Sequence, residues 1–393
     1  HFANPPEHIV PNSPDAASFA MRYCFFHWGL QPWAIYITMS LTIAYFSFRR
    51  GMPPLISSCF FPLLGNRIYG AAGHAIDILA VFATVFGIAT SLGMGALQIT
   101  SGLAEVTPLP ATAGVTLAII AGVTVLFMLS SATGLDTGIQ ILSKTNILVA
   151  LVLLLFMLAV GPTSYILNVF STTLGRYASS LLTMSLSTHP FEGYAWTRSW
   201  TLFYWAWWIS WSPFVGLFVA SISRGRTVRE FILGALLVPS LLTFFWFAVF
   251  GGAAFHLQLE EGVDIAASVS SGVSTALFAL FGHYPLSSIL TVLAIVLLAV
   301  FFITSADSAT YVLSMMTSRG DLSPPMSKKV TWGLYQSAAA AALILSGGLE
   351  ALQRIAIAAA LPFTLVMLFL CLSLYRAMKY ELDVERADPD REG

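Results

Sequence analysis

Long stretches without a charged side chain alternate with short polar ones along this chain. Runs lacking Asp, Glu, Lys and Arg cover residues 23–48, 78–104, 106–135, 145–175, 199–223, 231–259, 265–306, 330–349 and 355–375. Each reaches the roughly 20 residues that an α-helix needs to cross the hydrocarbon of a bilayer. The pattern predicts nine membrane spans, near 23–48, 78–103, 111–133, 146–161, 200–222, 231–250, 286–306, 330–346 and 358–378. A membrane β-barrel would show strictly alternating segments of about ten residues, and these are absent. Between the spans, GMPPLISSCFFPLLGN (51–66) is apolar but short and proline-rich, which predicts an interfacial or re-entrant piece. Residues 136–144 predict another interfacial stretch. Residues 164–186 carry Arg176 in mid-run and predict a helix lying outside the membrane plane. Residues 251–285 predict polar and short helical pieces.

Composition excludes a soluble protein. Only 9% of residues are charged and the mean hydropathy is +0.80, against roughly 25% charged in soluble domains. The net charge of -1 averages over two membrane faces. If residue 1 lies outside and nine spans alternate, fourteen Lys and Arg fall inside and four, Arg22, Arg176, Arg198 and Arg354, fall outside. That bias fixes the orientation. The predicted organisation is an extracellular loop remnant (1–22), four spans (23–161), an extracellular amphipathic helix and loop (162–199), five spans (200–382) and a cytoplasmic tail (383–393). The opening HFANPPEHIVPNSPDAAS has no signal-peptide pattern and reads as an extracellular loop cut open. Four spans before residue 199 and five after it suggest two inverted repeats around a midplane site, with one helix of a 5+5 arrangement missing. Cys24, Cys59 and Cys371 are scattered and odd in number, and the seven histidines are isolated, so no disulfide framework or metal spacing is present.

The most specific chemistry lies in SWTLFYWAWWISWSPF, residues 199–214. Six of the ten tryptophans fall within 196–211. Belt tryptophans sit singly at the two membrane interfaces, so a cluster over three turns is unusual. At helical spacing Trp207, Trp211, Phe214 and Phe218 share one stripe, and Trp205, Trp208 and Ser212 another. Such a helix can wall a cavity for a quaternary ammonium group, which donates no hydrogen bond and binds aromatic faces at about 0.5–2 kcal/mol per contact. The alternative is aromatic packing combined with an interfacial belt. Phe301, Thr304 and Ser305 place a carbonyl and two hydroxyls on one helix face, a set of oxygens suited to a hard cation. Their alternative is hydroxyls bonded back to the i−4 carbonyl. Asp307 follows 42 uncharged residues and is expected near the inner end of its helix. Asp77 is expected as an interfacial charge. Gly87, Gly93 and Gly95 are expected to permit close helix packing, and Arg224, Arg226 and Arg229 to set topology and meet anionic lipid.

FYWAWWISWSPF followed by ISRGR, together with FHWGLQPWAIY (26–36) and FFITSADS (301–308), resembles the betaine/carnitine/choline transporter family. The resemblance runs from about residue 20 to about residue 375. It implies an all-α polytopic membrane protein with the LeuT-type 5+5 inverted-repeat fold. This chain would lack the first helix of repeat one, have two further helices upstream, and assemble as a homotrimer. It implies an aromatic box for the ammonium group formed by Trp28, Trp33, Tyr36 and Trp208. Trp207 and Trp211 would line the substrate path beside it, and Phe203 and Phe218 would be gating aromatics. It also implies a coupling sodium at Phe301, Thr304 and Ser305, and a second sodium at Thr84 and Phe214. There Ile88 stands where a second Thr is expected, and isoleucine cannot ligate an ion.

The expected function is sodium-coupled import of a small quaternary-ammonium solute such as glycine betaine or choline across the cytoplasmic membrane, with no cofactor, no nucleic acid and lipids as neighbours. A membrane enzyme would need a reactive cluster within the spans, and none is found. A channel would repeat a polar stripe in several spans. An inactive membrane fragment is a further alternative. A proton-coupled choline transporter of the same fold stays open. A sodium-independent carnitine-type exchanger would carry a fixed positive side chain in place of sodium, and no Lys or Arg lies in the span cores.

Overall fold

Ser13 opens the first helix. Its hydroxyl accepts the Ala16 N–H at 3.1 Å, and Pro14 follows at the first helical position, a start signal of about 1 kcal/mol. The computed structural model describes residues 1–6, 8–133, 136–188, 194–270 and 272–387. Helix α1 (Pro14–Trp28) ends at Gly29, and α2 (Leu30–Ala44) begins one residue later and continues through a π-helical turn, Tyr45–Arg49. The expected single span over 23–48 is therefore a broken helix that starts earlier. The cause lies elsewhere in the chain. The Phe244 ring occupies the space where a Cβ on Gly29 would stand, so this position must be glycine and the two helices bend around that ring.

The remaining long helices are α3 (Ala71–Val106), α4 (Ala113–Thr133), α5 (Asp136–Val160), α6 (Thr163–Leu186), α7 (Phe203–Ile222), α8 (Val228–Leu259), α9 (Ser287–Met316) and α10 (Met326–Ala387), with short helices at Phe61–Leu64, Ala195–Thr197, Ile265–Ser270 and Ala276–Phe281. No strand occurs among the described residues. A capping box starts α8: the Thr227 hydroxyl accepts the Glu230 N–H at 3.2 Å and the Glu230 carboxylate accepts the Thr227 N–H at 3.0 Å. Inside α10 the backbone leaves helical geometry at Gly347 and Gly348, where Gly348 takes φ 58° and ψ -133°. That conformation is open essentially to glycine alone.

Among the described residues, seven helices are long and apolar enough to cross a membrane. Nine spans were expected. The difference lies in α2, which is short because of the Gly29 break, and in α10, which counts once although the Gly347–Gly348 break divides it into two helical arms. Several helices outrun their expected ends: α3 begins at Ala71, α5 at Asp136, α8 reaches Leu259, α9 Met316 and α10 Ala387. The Thr163–Leu186 helix is not among the seven. Residues 51–66 form short turns with Ser57, Ser58, Cys59 and Phe60 buried. Asp77 accepts both the Ser57 N–H (2.9 Å) and the Ser57 hydroxyl (2.7 Å). It is a cap for that turn, a role beyond the interfacial charge expected of it. The expected 136–144 stretch begins α5, with the side chains of 136–139 outside the described residues. Residues 388–393 of the tail, and 189–193 of the 162–199 loop, also lie outside them.

Helix α3 is central and packs against α7, α9 and α10. Its glycines act as expected. Phe302 lies where a Gly95 Cβ would be, Leu352 lies against Gly93, and Ser210 and Trp211 lie against Gly87. Small residues let helices approach closely where no water drives their association. Hydroxyls and amides then bridge the helices. Thr124 donates to Ser337 at 2.8 Å, Thr100 meets Thr116 at 2.9 Å, and the Gln336 amide donates to the Ala306 carbonyl at 3.1 Å. Leu237, Val238, Leu241 and Leu242 of α8 face outward, as lipid contact requires.

The two ends of the bundle differ in charge. At one, Arg224 lies over Phe48, Lys329 over Tyr311, and Arg49 pairs with Glu381 at 2.6 Å. We call this the basic end. At the other lie Arg198, Glu350 and Arg354.

Candidate substrate and ion sites

Helix α7 presents two aromatic faces, in the register expected of its sequence. Trp205 and Trp208 turn toward α1 and α2. Trp205 meets Phe26 at 4.9 Å between ring centroids, and Trp208 meets Trp28 at 5.3 Å and Tyr36 at 5.0 Å. Tyr36 in turn meets Trp33 at 5.6 Å. The four rings named for the box are therefore one continuous group drawn from three helices. The Trp208 indole N–H donates to the His27 carbonyl at 3.0 Å. This carbonyl belongs to the last turn of α1, where the break at Gly29 leaves acceptors without helical donors.

Trp207 and Trp211 turn the other way, toward α3. Trp207 donates to the Ser91 hydroxyl and Trp211 to the Gly87 carbonyl, each at 2.9 Å. Trp207 also meets Trp28 edge to face at 5.7 Å, and Phe203 stacks on Trp207 at 5.7 Å and 14°. The rings thus run in order Phe203, Trp207, Trp28, Trp208, Tyr36, Trp33. Phe203 is buried and lines a cavity of about 570 Å³ at the end away from the basic residues. Phe218 is 53% exposed and lines, with Phe214, a cavity of about 880 Å³ at the basic end. The two residues named as gates line different cavities.

Three contributors were missed in the sequence. Tyr204 meets Trp28 at 5.7 Å and stacks on His27 at 4.7 Å. Ser91 orients Trp207, and the His27 carbonyl orients Trp208. Tyr204 carried a readable signal, since it lies four residues before Trp208. The other two depend on contacts between distant helices.

Box rings meet edge to face, at interplanar angles of 62° to 87°. Faces that point in different directions can surround a rounded cation, and each contributes without needing a hydrogen bond.

On α9 the Thr304 hydroxyl donates to the Val300 carbonyl at 2.9 Å and approaches the Phe301 carbonyl at 3.1 Å. Phe301 is 46% exposed, and Thr304 and Ser305 are half-buried, so this face is open. Thr304 thus takes the back-bonding arrangement that was the alternative for this hydroxyl. At the second expected site Thr84 is fully buried and donates to the Ala80 carbonyl at 2.7 Å. Ile88 and Phe214 belong to one apolar cluster, which supplies few oxygens. Asp307 lines the larger cavity together with Arg224 and Lys329, near the basic end as expected. No cluster of three or more metal-ligating His, Cys, Asp or Glu occurs among the described residues.

A bundle of membrane-length helices around a group of inward aromatic rings, with cavities at both ends, is the architecture of a membrane transporter. The family model of betaine/carnitine/choline family transporters matches residues 1–383. The chain is 51% identical over 383 residues to the glycine betaine transporter OpuD of Bacillus subtilis, covering 97% of this chain and 74% of that protein. It is 42% identical to the ectoine/hydroxyectoine transporter of Virgibacillus pantothenticus, covering 100% and 77%. It is 44% identical to glycine betaine transporter 1 of Vibrio parahaemolyticus, covering 95% and 72%. The chain belongs to the betaine/carnitine/choline transporter family, and it is a multi-pass membrane transporter rather than an enzyme.

Proposed function

We propose that this protein is a sodium-coupled symporter that imports a small quaternary-ammonium compatible solute, glycine betaine foremost and choline as a variant, across the cytoplasmic membrane. The observation that carries the reading is the continuous group of Trp28, Trp33, Tyr36 and Trp208. Relatives named as glycine betaine transporters support the same substrate class. A methylated ammonium has no N–H to donate, so rings rather than carboxylates are its natural partners.

Phe301, Thr304 and Ser305 would hold the coupling sodium. The ion supplies the driving gradient. Ile88 and its apolar neighbours support one strongly coupled sodium and weigh against a second at Thr84 and Phe214. The basic end would face the cytoplasm. The fold would be the LeuT-type inverted repeat, with α10 counting as two spans across its Gly347–Gly348 kink, and the assembly a homotrimer. Phe203 would close the outer path and Phe218 the inner one. Uptake of glycine betaine by the full-length protein that requires sodium tests this reading, and uptake unchanged when potassium replaces sodium contradicts it.

A further inference from the structure

His27 is fully buried in the last turn of α1, just before the Gly29 break. Its Nε2 hydrogen-bonds the Thr201 hydroxyl at 2.9 Å, in the π-helical turn that leads into α7. Its ring stacks on Tyr204 at 4.7 Å and 20°, and Tyr204 meets Trp28 edge to face at 5.7 Å. Its carbonyl accepts the Trp208 indole N–H at 3.0 Å. Trp28 and Trp208 are thus both tied to one residue, one through its side chain and one through its backbone. The other ring nitrogen, Nδ1, is buried without a hydrogen-bond partner among the described residues. Such a group costs stability, and a phenylalanine would fill the same space without that cost. What the imidazole adds is the tie to Thr201. That tie fixes the plane of the ring against Tyr204, and it steadies a turn that the Gly29 break leaves without helical hydrogen bonds beyond it.

We propose that His27 is a positioning residue for the aromatic box and, through it, a determinant of selectivity for fully methylated ammonium heads. This rests on the function proposed above. A trimethylammonium head is rounded and carries no N–H, so its attraction comes only from ring faces set at the right distance and tilt. A dimethylammonium head keeps one N–H, which a single acceptor or a water satisfies, and it depends less on the full set of faces. His27 holds Trp28 through Tyr204 and Trp208 through its carbonyl. Released from Thr201, both rings gain freedom to tilt, and binding must then order them again. The three-methyl head loses more from that than the two-methyl head, so the preference between them narrows.

The test uses the full-length protein in cells without other betaine uptake. Initial rates of glycine betaine uptake, with dimethylglycine as competitor, are measured for wild type, His27→Leu, His27→Phe, Thr201→Val and the pair His27→Leu/Thr201→Val. His27→Leu is expected to raise the betaine KM roughly threefold to tenfold, the equivalent of weakening one ring contact. The inhibition constant of dimethylglycine should move by less than about twofold, and the maximal rate per transporter in the membrane should hold. His27→Phe keeps a ring on Tyr204 and should recover part of the KM. Thr201→Val should narrow the same preference and add little in the pair, because both substitutions break one tie. If His27→Leu does not reach the membrane, Thr201→Val decides alone, and an unchanged preference in it overturns the proposal. An unshifted betaine KM in His27→Leu overturns it too, as do additive losses in the pair. A KM and an inhibition constant that rise together mark general loss of packing and also overturn it. All of these leave the proposed function standing. Absence of betaine uptake by wild type contradicts the proposed function and the role of His27 with it.

Discussion

Replacing Trp208 by leucine removes the ring that meets Trp28 and Tyr36 while keeping apolar bulk and helix propensity. Loss of one cation–π contact of about 1–2 kcal/mol in a dry site weakens binding roughly 5- to 30-fold. Trp208→Phe keeps a face and should lose much less. Trp246 is the control, because it packs on Phe250 at 4.5 Å in a separate cluster. Betaine titrations by intrinsic fluorescence at matched expression separate the cases. Equal affinity in wild type and Trp208→Leu would reduce these rings to packing. Thr304→Ala removes one oxygen from the α9 face. It should raise the half-saturating sodium concentration roughly tenfold, the equivalent of one ion–oxygen contact of about 1.4 kcal/mol. An unmoved sodium curve would leave the bond from Thr304 to Val300 as the whole role of that hydroxyl. At this scale the aromatic character of α7 was legible, because six tryptophans fall within sixteen residues, whereas the contacts of Trp28, Trp33 and Tyr36 with it join distant helices. Ser91 and the His27 carbonyl were not legible. Nothing near them in the sequence signals that an indole from α7 will reach them.

The helices themselves were legible from charge spacing alone, since each apolar run had to become a helix once water was excluded. Their breaks were not. Gly29 sits in a run whose hydrophobicity passes through it without a change, and only the Phe244 ring, 215 positions further on, explains the bend. The Gly347–Gly348 pair was visible as a dipeptide, and its effect is to break the backbone between the two expected spans, 330–346 and 358–378. Close helix contacts at glycines carry a direct prediction. Phe302 fills the space a Gly95 side chain would need, so Gly95→Ala should destabilise the bundle by about 1–3 kcal/mol through overpacking. Trimming the ring in Gly95→Ala/Phe302→Leu should recover part of that loss, because residues in contact do not contribute additively. Thermal inactivation of the purified variants in detergent measures both. Independent losses at the two positions would mean that α3 and α9 do not meet there.

Across the whole molecule, a smaller cavity at Phe203, where the ring series begins, and a larger one at Phe218 and the basic end lie at opposite ends of α7. The placement of these two cavities could not be read from spacing alone. The apolar setting of Thr84, with Ile88 and Phe214 in one cluster, predicts a Hill coefficient for sodium near one in uptake assays. A coefficient clearly near two would restore a second ion at that position. The central claim is that betaine moves with sodium through these rings. It is tested most directly in vesicles carrying the purified full-length protein, loaded with potassium and given an inward sodium gradient. The account predicts accumulation of labelled glycine betaine above its external concentration, collapsing when the gradient is dissipated or when Trp208 is leucine. Equal accumulation with potassium on both sides, or equilibration without accumulation, would contradict it.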